Sequence, residues 1–273
     1  MRRADSTGVA LVVMAAIGFG LNGPLARVAA DLGFSAVAFA SWRSIASVIA
    51  LAALLGVGLV LGRAKWTDLR AINRLEWVQL VAMGLFVAGT TLGLFLSFER
   101  STIAVTLMLF YTYPIIVAVA ATRIYGEPLG ALRIGAISVA SMGMVMLLFE
   151  PDSRSGIDTL GVLFALGAAL CQTGYALVAG RGFASVPAFQ SATIMRGFAT
   201  LFYLLVIIPF VLLIGESEGL LGPLDGAEAW VVIVIAGLLS AALPTAGLIA
   251  GYRKVGPTRG AVLMLFEPLT GVT

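Results

Sequence analysis

Gly8–Ala16 reads GVALVVMAA, and Gly161–Ala169 reads GVLFALGAA. Both stretches lie in apolar runs long enough to cross a bilayer, and a shift of 153 residues superposes Gly8 on Gly161 and Ala15-Ala16 on Ala168-Ala169. The same shift, without a gap, brings Arg43 onto Arg196 and Ala46 onto Ala199. A shift of 154 continues the match, pairing Ala82 with Ala236, Gly93-Leu94 with Gly247-Leu248, Leu109 with Leu263 and Pro114 with Pro268. Spans one to four therefore recur as spans six to nine. An odd number of spans per repeat turns the second copy upside down, the symmetry by which many secondary transporters alternate between inward and outward access.

Working outward, breaks at charged or Gly/Pro-rich positions leave apolar spans near 7–29, 34–61, 75–98, 102–122, 131–149, 159–180, 189–214, 228–252 and 258–273. A helix needs about 20 residues to cross the hydrocarbon core, so the last run is short. By the repeat, residues 120–150 have no counterpart, and one further helix of roughly thirty residues is expected beyond Thr273. The expected fold class is an all-α polytopic membrane protein. It has two inverted five-helix repeats, ten transmembrane helices when complete and about nine in this chain. Residues 1–150 form the first repeat; residues 151–273 form the second, lacking its last helix. Met1-Arg2-Arg3 before the first apolar run resembles a signal peptide, but the run is long enough to span and many spans follow, so it reads as an uncleaved first helix.

Composition agrees. Sixty per cent of the 273 residues are apolar and 11% are charged, far from the roughly 45–50% and 25% of soluble domains. The net charge of +3 comes from Lys and Arg in short loops, which excludes a nucleic-acid-binding run and fits contact with lipid. Twelve basic residues fall at the N-terminus and in the even-numbered loops (Arg2, Arg3, Arg63, Lys65, Arg70, Arg74, Arg123, Arg133, Arg181, Arg253, Lys254, Arg259), against Arg27, Arg100 and Arg154 in the odd ones. Because Lys and Arg stay on the cytoplasmic side, the N-terminus is expected there. With one cysteine, Cys171, and no histidine, an internal disulfide and a Cys/His zinc site are excluded. P-loop and nucleophile-elbow motifs are absent too, so neither an enzyme nor a cofactor is expected.

Three charges lie deep in spans: Arg43, Arg196 and Glu267. Each costs about 2.5–3.5 kcal/mol at a helix centre, so such residues face a cavity or a partner. The arginines are expected toward opposite faces, each roughly 10–14 Å below its surface at 1.5 Å per residue. The competing reading is a structural arginine that caps a helix end or pairs with a loop carboxylate. Glu267 precedes Pro268, which frees the carbonyl of Met264 and kinks the helix. Its repeat equivalent is Tyr113-Pro114, and paired interrupted helices point to a transport site, unless the prolines only shape packing. Asn22-Gly23-Pro24, Tyr111, Gln172 and Tyr175 add amide and phenol groups to a largely apolar wall. Any one of these is also ordinary interhelical bonding, worth about 0.6 kcal/mol. Gly89/Gly93 and Gly247/Gly251 read as close-packing or rocking surfaces.

Pro114, the segment Tyr125-Gly126-Glu127-Pro128, the glycine-rich run to Phe149 and Glu267-Pro268 together resemble the drug/metabolite transporter superfamily, in particular the EamA-type exporters. Within it the chain looks most similar to bacterial exporters of aromatic amino acids and methyl viologen. The resemblance implies ten helices, both termini cytoplasmic, a central cavity and export of amino acids or related metabolites. On that reading Arg43 or Arg196 holds a substrate carboxylate, while Tyr111, Tyr113, Gln172 and Glu267 contact the amine and side chain. The substrate is an amino acid or an amphipathic cation, and the protein acts as a monomer. A transporter of nucleotide sugars, phosphorylated metabolites or drug cations is the second reading of the same fold.

Overall fold

The computed structural model describes residues 6–126, 158–181, 185–213 and 226–268, with isolated positions between them. The fifth predicted span (131–149), the Glu127-Pro128 pair, most of the acidic loop 215–227 and everything after Pro268 lie outside the described residues.

Among the described residues seven helices are long and apolar enough to cross a membrane: α1 (Ser6–Asp31), α2 (Ala36–Val60), α3 (Arg74–Arg100), α4 (Ile103–Tyr125), α5 (Thr159–Gly180), α6 (Ala188–Leu213) and α7 (Ala227–Val255). They match the predicted spans other than the fifth and ninth. A short helix, α8 (Pro257–Leu263), begins the ninth and passes into a 3-10 turn at Met264–Phe266. Local chemistry sets several starts. Ser35 Oγ accepts from Ala38 N at 3.2 Å to cap α2, Thr102 caps α4, and Asn73 with Glu76 forms a capping box on α3.

Proline decides where the helices break. A proline has no N–H for the carbonyl four residues back, and its ring crowds that carbonyl. Before Pro24, α1 is interrupted at Leu21, whose N–H donates to Gly18 O at 3.3 Å. Before Pro114, α4 is interrupted at Tyr111-Thr112, with Thr112 N–H on Leu109 O at 3.2 Å. Before Pro268, Glu267 N–H donates to Met264 O at 2.9 Å, so the carbonyl that the proline frees is taken by a tightened turn. In α6 and α7 the response is a wider turn instead. A π turn spans Tyr203–Ile207 ahead of Pro209, and another spans Leu238–Ala242 ahead of Pro244.

The outer faces are apolar, as a bilayer demands, and the mostly apolar interior also encloses polar groups. Met14, Leu170, Leu205 and Leu213 face outward, whereas Gln190, Ser97, Ser240 and Thr245 are fully buried. Helix α3 lies along α5 and α6, and α7 lies along α1 and α2. Glycines allow the close approaches: a Cβ on Gly93 would meet Phe164 O at 2.9 Å and Ala168 at 3.1 Å, and one on Gly18 would strike the Pro244 ring at 2.4 Å.

Candidate functional site

The three deep charges meet at one cavity. Its walls are Phe19 and Asn22 of α1, Arg43 of α2, Thr90, Thr91 and Phe95 of α3, and Phe110 of α4. Helix α5 contributes Gln172 and Tyr175, α6 contributes Arg196, and α7 contributes Thr245 and Leu248. Met264 and Glu267, just beyond α8, complete it. All seven spanning helices thus reach the same space. The sequence reading set Arg43 and Arg196 toward opposite faces; in the structure both side chains reach this one cavity. Depth along a helix is legible from sequence, but the direction a long side chain takes from its Cα is not.

Arg43 is 2% exposed. Its Nη2 donates to Asn22 Oδ1 at 2.7 Å and to the Ser240 carbonyl, and its Nε donates to Ser240 Oγ at 3.2 Å. Its guanidinium carbon stands 5.8 Å from the centroid of the Phe95 ring. Arg196, also 2% exposed, donates from Nε and Nη2 to Thr245 Oγ1 at 3.1 and 2.6 Å and from Nη2 to Ala241 O at 3.4 Å. Among the described residues neither cation has a carboxylate within 4.0 Å, and the ion-pair distance is met by Arg100–Asp158 at 3.0 Å, on the surface. Glu267, 7% exposed, shares the cavity with the two arginines.

Of the eight predicted contact residues, Asn22, Arg43, Gln172, Tyr175, Arg196 and Glu267 line the cavity. Tyr111 and Tyr113 stand behind it, in a ring cluster with Phe110 whose centroids are 5.2–6.2 Å apart. Tyr113 is fully buried and its hydroxyl reaches Ala261 O at 3.5 Å. The Tyr175 hydroxyl has no hydrogen-bond partner among the described residues. Sequence reasoning missed Ser240, Pro244 and Thr245. The proline rule that singled out Pro114 and Pro268 applies equally to Pro244, whose freed carbonyl belongs to Ser240.

A second polar cluster joins one end of α3, α6 and α7. Glu76 Oε1 accepts from Ser185 Oγ at 2.6 Å, and Gln190 pairs reciprocally with the Thr67 backbone at 2.7 and 2.8 Å. Arg253 donates to Val186 O at 2.7 Å and to Ser191 Oγ at 2.9 Å.

The model of the EamA-like transporter family matches residues 6–149. The chain belongs to that family. Its EamA region covers α1 to α4, which supply Asn22, Arg43, Phe95 and Phe110 to the cavity. An uncharacterized transporter of Synechocystis sp. is 28% identical over 177 residues, 63% of this chain and 50% of that protein, so the chain spans about half the length of the curated relative it matches. A solved crystal structure superposes over 97% of this chain and 86% of its own with a TM-score of 0.71 at 18% identity, which shows a shared fold. The chain is thus a multi-pass membrane protein of the EamA-like transporter family.

Proposed function

We propose that this EamA-family chain is a secondary transporter that exports amino acids and related small metabolites by alternating access, with the cavity as its transport site. One observation carries the reading: two buried guanidinium groups, from opposite halves of the chain, and one buried carboxylate line the same cavity. Charge inside a bilayer is costly, and a zwitterion supplies a counter-charge to both kinds. Arg43 and Arg196 take its carboxylate and Glu267 its ammonium. Phe19, Phe95 and Phe110 accept an apolar or aromatic side chain, with Gln172, Tyr111, Tyr113 and Tyr175 adding polar contacts.

Free space in the cavity is about 40 Å³, room for a few waters, where a small-molecule site needs roughly 300–1,000 Å³. Entry therefore requires the helices to part. Inverted repeats provide that movement, and residue-for-residue packing supports them. Gly93 meets Phe164 and Ala168 as Gly247 meets Leu11 and Ala15; Gly84 meets Ala199 as Gly237 meets Ala46. Each pair keeps the 153 or 154 shift seen in the sequence. We take residues 1–150 and 151–273 as the two repeats of a ten-helix protein that acts as a monomer in a bacterial inner membrane, N-terminus inside. On that orientation the Glu76–Ser185 and Thr67–Gln190 contacts latch the cytoplasmic end.

The convergence of two arginines also favours a second substrate class, phosphorylated metabolites, since guanidinium forks bind phosphate as well as carboxylate. The test is uptake of radiolabelled phenylalanine, methionine and threonine into liposomes carrying the protein, with and without a pH gradient. Saturable uptake with mutual competition supports the reading, and its response to the gradient decides whether Glu267 exchanges protons. No uptake of any of the three, with uptake of a sugar phosphate instead, overturns it in favour of the second class.

A further inference from the structure

The broken turn of α7 holds both arginines, and the way it holds them singles out two residues. Pro244 has no N–H to give to Ser240 O, four residues back, and the helix responds by widening: Leu243 N–H donates to Leu238 O, five residues back. A carbonyl left without its helical donor inside a membrane protein needs another. Arg43, from α2, supplies it through Nη2 and adds Nε to Ser240 Oγ at 3.2 Å. That hydroxyl is itself fixed by donating to Ala236 O at 2.8 Å. On the other side of the proline, Thr245 Oγ1 accepts Nε and Nη2 of Arg196, from α6, at 3.1 and 2.6 Å, and Ala241 O accepts Nη2 at 3.4 Å.

The two grips are alike in chemistry. Each guanidinium spends its Nε and Nη2 on neutral oxygens of α7, and in each the Nη1 nitrogen has no hydrogen-bond acceptor among the described residues, although both side chains are 2% exposed and both line the cavity. A guanidinium is a rigid planar fork, so holding its Nε–Nη2 edge fixes where Nη1 points. Two anchors a turn apart on one helix therefore aim two Nη1 groups from opposite halves of the chain. A carboxylate with two oxygens is the ligand that matches two such donors.

We propose that Ser240 and Thr245 are positioning residues of the transport site, and that Pro244 serves them by freeing the Ser240 carbonyl. They present the Nη1 groups of Arg43 and Arg196 to the substrate carboxylate. The assignment rests on the reading of the cavity as a carboxylate-binding transport site. Since α7 carries both anchors, any tilt of α7 shifts both arginines together.

The experiment compares phenylalanine with phenylalaninamide, which keeps the ammonium and ring but lacks the carboxylate, as substrate and competitor for the full chain in liposomes. Thr245→Val raises KM for phenylalanine about tenfold, the loss of a hydrogen bond to a charged group, with the maximal rate and the inhibition constant of the amide nearly unchanged. Thr245→Ser, which retains the hydroxyl, restores KM. Ser240→Ala, which retains the backbone acceptor, raises KM about threefold, the loss of one weaker bond. Pro244→Ala returns an N–H to the Ser240 carbonyl and raises KM for the acid selectively. Equal losses for acid and amide, or a Thr245→Ser variant as impaired as Thr245→Val, overturn the positioning role and leave the carboxylate site standing. A wild-type protein that takes amide and acid equally well overturns the carboxylate reading and the assignment with it.

Discussion

Helices α3 and α7 hold corresponding places, one along α5 and α6 and the other along α1 and α2, yet they differ where it matters for chemistry. Helix α3 runs unbroken from Arg74 to Arg100, and its Thr90 hydroxyl makes one long contact, 3.5 Å, to Ala168 O. At the 154 shift Thr90 corresponds to Pro244 and Phe86 to Ser240. Helix α7 is thus broken at the point where α3 is straight, and the break carries the acceptors for both buried arginines. On the two-repeat reading the polar site departs from the symmetry of the scaffold, because Pro244 and the Ser240 hydroxyl fall on one copy alone, whereas Thr245 has Thr91 as its counterpart.

The comparison can be broken most sharply at the arginines. If α7 exists to hold them for a substrate, Arg43→Ala and Arg196→Ala each lower kcat/KM for amino-acid uptake by about a hundredfold, the scale of a charge-assisted bond lost from a buried site. Arg196→Lys recovers little, since an ammonium cannot present a fork while holding Thr245. Next in size is a proline placed where α3 lacks one. Thr90→Pro costs about 3 kcal/mol because no arginine stands ready to take the freed Phe86 carbonyl; a fall in melting temperature in detergent measures it, and a silent Thr90→Pro would mean that the two helices are interchangeable.

A smaller effect separates the two glycine crossings. A Cβ at Gly93 meets backbone Phe164 O at 2.9 Å, whereas one at Gly247 has 3.4 Å to Leu11 O. Gly93→Ala therefore destabilises by about 1–3 kcal/mol through overpacking, and Gly247→Ala leaves the melting temperature nearly unchanged. The smallest effect is at the surface. The Arg100 guanidinium, together with the Leu160 N–H, holds the Asp158 carboxyl below its ordinary value of 3.8. A depressed carboxyl stabilises the fold above that value, and the gain is lost as pH falls through the lower folded one. At 44% and 37% side-chain exposure, solvent screens most of it. Asp158→Asn thus changes neither uptake nor melting at neutral pH.

Much of this was legible before any coordinates. The spans followed from runs of apolar residues too long for a soluble core. Arg43, Arg196 and Glu267 stood out because charge inside such a run is costly. Pro24, Pro114 and Pro268 each coincide with an interruption for the steric reason that any proline imposes. What stayed hidden was direction. Residue spacing gives depth in the membrane, but helix tilt and a long flexible side chain decide where a guanidinium ends, so the meeting of Arg43 and Arg196 needed the fold. Ser240 and Thr245 were hidden differently, since a lone hydroxyl in an apolar span is commonplace and a π turn leaves no periodic trace. Glu76 was half visible: Asn73-x-x-Glu76 spells a capping box, while its bond to Ser185 joins residues 109 apart in the chain.

The central claim is that Arg43 and Arg196, from opposite halves of the chain, grip one ligand. Phenylalanine binding to wild type, Arg43→Ala, Arg196→Ala and the double variant in nanodiscs tests it most directly as a double-mutant cycle. The account predicts strong non-additivity, with the double variant losing little more affinity than either single one and a coupling of about 1–3 kcal/mol. Additive losses would mean that the two arginines act on separate sites, and undiminished binding in the double variant would remove the cavity from the transport path.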